Sequence, residues 1–149
     1  MLNENFRDML LALNDADVEY LLVGAYALAA HGSPRATGDI DFWVRADAEN
    51  AVRVLSALVS FGAPMSQITV DDFSTPGIVF QIGLPPQRID ILTSISGVNF
   101  ADAWNSRMVV NIEGMSVPVL GLQDLLINKS STGRDKDIAD IPIIKKLLG

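Results

Sequence analysis

The sequence predicts a single α/β domain that spans residues 1–149. Two kinds of segment follow one another along the chain. In one kind the apolar residues recur at helical spacing, and in the other, shorter kind polar and apolar residues alternate as in a strand. The length also suits one domain, because 49% of the residues are hydrophobic and a core of this size can bury roughly 70% of the unfolded chain's surface. No internal repeat, low-complexity tract or linker is visible that would divide the chain.

The N-terminal part is predicted to run helix, strand, turn, helix. Apolar residues at helical spacing predict a helix over residues 6–13, and residues 19–23 are typical of a buried strand. Gly24 permits a tight turn into an alanine-rich helix over residues 25–30. The first strand is therefore expected to lead directly into a helix N-terminus.

The next strand is predicted to carry two carboxylates. Residues 39–45 alternate polar and apolar side chains, which places Asp39 and Asp41 on the same face of a strand. Asp47 is expected to cap the helix that follows, and residues 65–77 carry only loop signals. An acidic pair is thus expected on one face of a strand flanked by helices.

The remaining elements are predicted as two hairpins and three helices. The hairpin strands are residues 78–82 with 88–92, and 108–112 with 115–119. The helices cover residues 100–106, 120–128 and 138–148, with the polar stretch 129–137 between the last two.

Composition excludes several classes of protein. With no cysteine there is no disulfide framework and no thiolate metal site. The longest apolar stretch, residues 20–30, is shorter than the ~20 residues of a membrane-spanning helix, and the polar N-terminus does not look like an export signal. We expect a cytoplasmic protein without a membrane partner.

The charge balance argues against unaided nucleic-acid binding. Eighteen acidic residues oppose eleven basic ones, for a formal net charge of −7, and an acidic surface repels a phosphate backbone. A basic partner protein, or a nucleotide whose phosphates arrive with a divalent cation, is compatible with this charge.

Three aspartates form the candidate catalytic and metal-binding group. On a strand, Asp39 and Asp41 lie about 7 Å apart, and Asp90 is predicted to point the same way from another strand. Carboxylates prefer Mg²⁺ or Mn²⁺, the ions of two-metal phosphoryl and nucleotidyl transfer. The alternative is that these are solvated carboxylates on an edge strand, because a bare Asp-x-Asp is a weak motif.

The context of the acidic pair resembles a known family. The residues that carry the resemblance are Leu22-Val23-Gly24-Ala25-Tyr26-Ala27-Leu28, His31-Gly32, Arg35, Thr37 and Asp39-Ile40-Asp41. This pattern is similar to the core of DNA polymerase beta-type nucleotidyltransferases, especially the minimal and AbiEii-like groups associated with toxin-antitoxin and phage-defence systems. The resemblance implies the nucleotidyltransferase fold, a mixed β-sheet flanked by helices.

The resemblance also implies roles for five residues. Gly24 and Ala25 match the turn whose backbone N–H groups hold a nucleoside triphosphate at a helix N-terminus. Ala25 replaces the serine of many members, so a hydroxyl ligand is missing. Asp39 and Asp41 match the paired metal ligands, and Asp90 matches the third carboxylate, which can accept the proton of the attacking hydroxyl.

A second match lies near the C-terminus. The residues Lys129, Arg134, Lys136, Asp137 and Asp140 resemble the Lys, Arg, Lys-Asp pattern of AbiEii-like members. By this match Lys129 or Arg134 could reach the triphosphate, and Asp137 could orient one of them. The alternative is a charged loop that caps the last helix.

Three further residues have weaker assignments. Arg35 lies in a loop before the acidic strand and could contact phosphate, although a surface arginine is equally consistent. Trp43 shares the predicted face of the aspartates and could stack on a base. His31 lacks a serine or cysteine partner at recognisable spacing, which favours a structural role.

The expected function is Mg²⁺-dependent transfer of a nucleoside monophosphate from ATP or another nucleoside triphosphate to a hydroxyl. A protein, RNA such as tRNA, or a small molecule could be the acceptor. Two alternatives stay open: a non-catalytic nucleotide-binding or antitoxin-like module of the same fold, and phosphoester hydrolysis by the same carboxylates.

Overall fold

A computed structural model describes residues 2–34 and 38–149. Within these residues one mixed sheet has the strand order β3-β4-β2-β1-β6-β5. The strands are β1 (Tyr20–Val23), β2 (Ile40–Val44), β3 (Val79–Ile82), β4 (Ile89–Leu92), β5 (Met108–Ile112) and β6 (Met115–Val119). The helices are α1 (Glu4–Asp15), α2 (Gly24–Ala30), α3 (Ala48–Phe61), α4 (Val70–Ser74), α5 (Phe100–Asn105), α6 (Leu122–Thr132) and α7 (Asp135–Leu148). The predicted α/β class and mixed sheet are confirmed.

Strand pairing brings the acidic strands to the middle of the sheet. β2 pairs with β4 in parallel and with β1 in antiparallel orientation, and β1 continues in parallel to β6. β3 with β4, and β5 with β6, form antiparallel pairs, which confirms both predicted hairpins. β2 and β4 are therefore interior neighbours, not edge strands, so the alternative of an exposed acidic edge strand is wrong.

The central strands are covered on both faces of the sheet. Side chains of β1 and β2 are buried at nearly every position, whichever face of the sheet they lie on. Trp43 is only 2% exposed, and its ring packs edge-to-face on Phe100 with centroids 4.9 Å apart. The predicted stacking of Trp43 on a base is therefore wrong, because helix α5 and the rest of the core occupy its face.

Two segment predictions need correction. Residues 65–77, predicted as loop, contain helix α4, whose start is held by a hydrogen bond from the Thr69 N–H to Asp72 Oδ2 at 2.9 Å. The polar stretch 129–137 is not a linker between the last two helices. α6 runs to Thr132 and α7 begins at Asp135, because charged side chains in this stretch pair with one another inside the packed interface.

No helix in the described part of the chain is both long enough and apolar enough to cross a membrane.

Candidate active site

Register across β2 and β4 brings the predicted carboxylates together. Asp41 pairs with Asp90 in the parallel ladder, so both side chains leave the same face side by side. Asp39 lies just before β2. All three border one cavity of about 800 Å³. The predicted convergence of three aspartates on one sheet face is therefore observed.

The clustering of carboxylates makes Asp41 hard to ionise. Its pKa is raised to about 7, first because the group is withdrawn from water and then because Asp90 and Asp39 are close. Asp90 acts on Asp41 both through its charge and through a side-chain hydrogen bond. Lys136 partly offsets these effects with its positive charge. The site therefore has an excess of negative charge that a cation would relieve.

Arg88 binds two of the three carboxylates, a role that the sequence analysis missed. Its Nε donates to Asp90 Oδ1 at 2.8 Å and its Nη2 donates to Asp90 Oδ2 at 3.2 Å. Nη2 also lies 3.3 Å from Asp39 Oδ2, and the Arg88 backbone N–H donates to Asp39 Oδ1 at 3.2 Å. The two-residue spacing of Arg88 and Asp90 on one strand was the available signal.

Close backbone contact fixes the loops that carry these residues. Gly38 lies so near the Pro86 carbonyl oxygen that a Cβ on Gly38 would overlap it. Pro86 belongs to the connection between β3 and β4, and Gly38 immediately precedes Asp39. The loop before β2 and the loop before β4 are therefore in direct contact.

The start of α2 lies where the triphosphate turn was predicted. Gly24 is the first residue of α2 and has φ +71°, in the left-handed region that glycine tolerates. A Cβ there would overlap Asp41 Oδ2, so the absence of a side chain lets the acidic strand approach. Gly24 and Ala25 both line the cavity, and Ala25 supplies no hydroxyl.

The C-terminal cluster is a buried ion-pair network. Lys129 is buried in α6, and its Nζ contacts Asp137 Oδ1 at 2.9 Å and Asp140 Oδ2 at 3.1 Å. Arg134 Nε contacts Asp137 Oδ2 at 2.6 Å, and the Thr132 hydroxyl donates to the same oxygen at 2.7 Å. Asp137 therefore orients both of the cations that were predicted to reach the triphosphate.

The hydrogen bonds decide the ionisation of Asp137. Burial alone would raise its pKa, but bonds from Lys129, Thr132 and Arg134 outweigh burial and lower the pKa to about 2. Arg134 keeps 62% of its side chain exposed and lines the cavity, as does Lys136. Lys129 lines it too but is held by two carboxylates. Among the described cations that line the cavity, Arg134 and Lys136 are the exposed ones. The sequence analysis assigned no role to Lys136.

Two sequence-predicted candidates remain, Arg35 and His31, and further residues line the cavity. Arg35 lies outside the described residues. His31 has a structural contact, since its Nε2 lies 2.8 Å from the Leu120 carbonyl oxygen. Polar and apolar residues that the sequence analysis did not select extend the cavity beyond the aspartates; they are Leu92, Ser94, Ile95, Ser96 and Asn128. The segment after β4 carried no motif, so its place in the cavity depends on the fold alone.

The aspartate group has the donors, but not the arrangement, of a formed metal site. Among the residues described, no three acidic or histidine side chains are placed so that they could hold a metal ion as they stand. Carboxylate oxygens suit a hard divalent cation, yet the oxygens of Asp39 and Asp90 are engaged by Arg88. The metal-binding role stays a prediction.

Family comparison agrees with this geometry. A family model described as "Nucleotidyltransferase of unknown function (DUF6036)" matches residues 1–147. The chain belongs to this nucleotidyltransferase family. No curated protein sequence gives a significant match.

Solved structures confirm the nucleotidyltransferase fold. The lincosamide antibiotic adenylyltransferase LnuA, crystallised with lincomycin, has 16% identity and a TM-score of 0.60, with 99% of this chain and 98% of that chain covered. The antibiotic-resistance factor ANT(2'')-Ia has 15% identity and a TM-score of 0.61, covering 97% and 83%. An antigenic nucleotidyltransferase-like protein from Paracoccidioides brasiliensis has 16% identity and a TM-score of 0.53, covering 97% and 74%. At these identities the likeness concerns the fold alone.

Proposed function

We propose that this chain is a divalent-metal-dependent enzyme that transfers a nucleoside monophosphate from a nucleoside triphosphate to a hydroxyl. One observation carries the proposal: Asp41 and Asp90 are register partners on interior strands, and they share a cavity with the cations Arg134 and Lys136. A group of carboxylates facing cations across a cavity suits a ligand that brings both a metal and phosphates.

Asp39, Asp41 and Asp90 would hold the metal. Their oxygens are hard donors, and the burial and neighbouring carboxylates that raise the pKa of Asp41 to about 7 favour the binding of a cation there. A bound divalent cation would neutralise phosphate charge and lower the pKa of the attacking hydroxyl.

The chain's own residues supply binding and proton transfer. Gly24 and Ala25 line the cavity at the start of α2, and their backbone N–H groups would donate to phosphate oxygens. Asp90 would accept the proton of the acceptor hydroxyl as the new oxygen–phosphorus bond forms and the bond to pyrophosphate breaks. Arg134 and Lys136 would stabilise charge on the departing pyrophosphate.

The acceptor we propose is a small hydroxylated molecule. A cavity of about 800 Å³ falls in the size range of small-molecule sites, and a net charge of −7 disfavours RNA. LnuA is an antibiotic adenylyltransferase by its description, which makes hydroxylated antibiotics the first acceptors to try. Protein and tRNA acceptors remain outcomes of the test.

The test is transfer of label from an α-labelled nucleoside triphosphate. Each triphosphate is incubated with the protein, Mg²⁺ and one of three acceptor pools: small metabolites with antibiotics, protein, or tRNA. Labelling that requires Mg²⁺ and is lost in Asp41→Asn supports the proposal, and the labelled pool identifies the acceptor class. Release of free nucleoside monophosphate in every pool would indicate hydrolysis. Nucleotide binding without any turnover would indicate a non-catalytic module.

A further inference from the structure

The Arg88 side chain contacts two of the carboxylates that would hold the proposed metal. Its guanidinium and backbone N–H contact both oxygens of Asp90 and both oxygens of Asp39, at 2.8 to 3.3 Å. A planar guanidinium that spans two carboxylates is among the strongest charge-assisted contacts in proteins. The guanidinium engages three of these four oxygens, so a divalent cation has to compete with Arg88 for them.

We propose that Arg88 is an internal counter-cation that holds Asp39 and Asp90 in the metal-free protein and releases them when a metal and a nucleotide bind together. The proposal rests on the metal-dependent function above. Arg88 is a positioning residue in this proposal, because the residue acts through the carboxylates and not by contact with the substrate.

The surroundings let the side chain move while the backbone stays. The Arg88 carbonyl oxygen accepts a hydrogen bond from the Ile40 N–H at 3.0 Å, which joins its backbone to the sheet. The side chain is 25% exposed and borders the cavity. Rotation about side-chain bonds can therefore swing the guanidinium into the cavity without breaking the sheet.

Charge explains why release should require both ligands. The Arg88 guanidinium contacts Asp39 and Asp90, and Lys136 acts on Asp41. Moving the guanidinium away therefore weakens the compensation of carboxylates that repel one another. A divalent cation can replace the guanidinium on the carboxylates, and triphosphate oxygens can then receive the displaced guanidinium in the same cavity. Each ligand thus makes binding of the other more favourable, which is a reciprocal coupling of the two affinities.

Mn²⁺ binding tests the proposal without any measurement of transfer. Free Mn²⁺ is measured by electron paramagnetic resonance with wild type, Arg88→Gln and Arg45→Gln, with and without a non-hydrolysable nucleoside triphosphate analogue. Arg45 is a matched control because its side chain is also 25% exposed and pairs with a carboxylate, Glu19, at 3.1 Å, away from the cavity. Circular dichroism checks that each variant is folded.

Without nucleotide, Arg88→Gln is expected to bind Mn²⁺ at least about tenfold more tightly than wild type, a difference of about 1.4 kcal/mol. Arg45→Gln should match wild type. The nucleotide should tighten Mn²⁺ binding less in Arg88→Gln than in wild type, because the competing cation is already gone.

Two results would overturn the proposal, and they are distinguishable. Equal or weaker Mn²⁺ binding by Arg88→Gln, with wild type still binding Mn²⁺ and nucleotide together, removes the counter-cation role and leaves the proposed function intact. No Mn²⁺ binding by any variant under either condition removes both. Should Arg88→Gln not fold, Arg88→Lys decides: a lysine keeps the charge but not the two-carboxylate span, so roughly threefold tighter binding is expected and unchanged binding contradicts the proposal.

Discussion

Asp41 lies directly beside Asp90 in the parallel pairing of β2 with β4, and Asp90 pairs with the Arg88 guanidinium at 2.8 Å. The three carboxylates are therefore not equivalent. Asp39 and Asp90 pair with a cation, whereas the ionised form of Asp41 is disfavoured by burial and by its acidic neighbours. Asp-to-Asn substitutions at these positions should therefore have different effects on stability, although the sequence pattern does not distinguish the positions.

Asp41→Asn should raise the thermal stability of the metal-free protein or leave it unchanged, because it removes carboxylate repulsion worth on the order of 1 kcal/mol. Asp39→Asn should lower that stability by about 1 kcal/mol or less, since it weakens a partly exposed ion pair with Arg88. Both should abolish transfer. Melting in excess chelator measures the contrast, and a lower melting temperature for Asp41→Asn would show that this carboxylate supports the fold.

Asp90→Asn should slow transfer far more than it weakens nucleotide binding. Loss of a general base costs about 10²- to 10⁴-fold in rate, while Asp39 and Asp41 can still hold the metal of the triphosphate. Single-turnover rates beside nucleotide affinities make the comparison, with exposed Asp102→Asn in α5 as the control. Parallel losses of rate and affinity would reduce Asp90 to a binding ligand.

Asp137→Asn should lower stability near neutral pH and lose that effect in acid. The folded-state pKa of Asp137 is lowered to about 2 by its partners, so its contribution is present above the unfolded-state pKa of about 4 and lost as pH falls through 2. The expected loss at pH 7 is on the order of 2 kcal/mol. Urea unfolding from pH 7 to pH 2 should show wild type and variant converging below pH 4, and exposed Asp135→Asn should show a smaller difference.

Gly24→Ala should cost both stability and metal-nucleotide binding. Alanine at a positive φ costs about 1 kcal/mol, and its Cβ would in addition push against the Asp41 carboxylate. Gly62→Ala is the matched control, because Gly62 also has a positive φ and a Cβ there would meet nothing within 4 Å. Gly24→Ala is expected to lose at least as much stability as Gly62→Ala, and only Gly24→Ala is expected to bind Mn²⁺ and nucleotide more weakly. Equal binding in both variants would argue against a tight fit between Gly24 and Asp41.

Alternation along single strands predicted much of the site. It placed Asp39 and Asp41 on one face and Asp90 on another strand, and the structure brings them together. It also placed Trp43 on the face of Asp41, but the inference that Trp43 could stack on a base is wrong because its ring is buried against Phe100. A one-strand pattern shows which residues share a face and not what packs on that face.

Pairing between distant segments could not be read from the sequence. The contact of Arg88 with Asp39 depends on the β2–β4 register, and such a register is set by the whole sheet. The sequence analysis expected Asp137 to orient Lys129 or Arg134, and the structure shows both contacts. It did not predict that Lys129 and Asp137 would be buried between two helices. The sequence shows that these residues are charged, but it does not show that they form ion pairs inside the protein.

The contact between Gly38 and Pro86 sets how this site can be altered. Because one loop leads into Asp39 and the other into Arg88, any bulk added at position 38 separates an acid from its counter-cation without touching either. For the proposed transfer function, variation aimed at a new acceptor should therefore leave this backbone junction unchanged and target the cavity wall after β4 at Ser94 and Ser96.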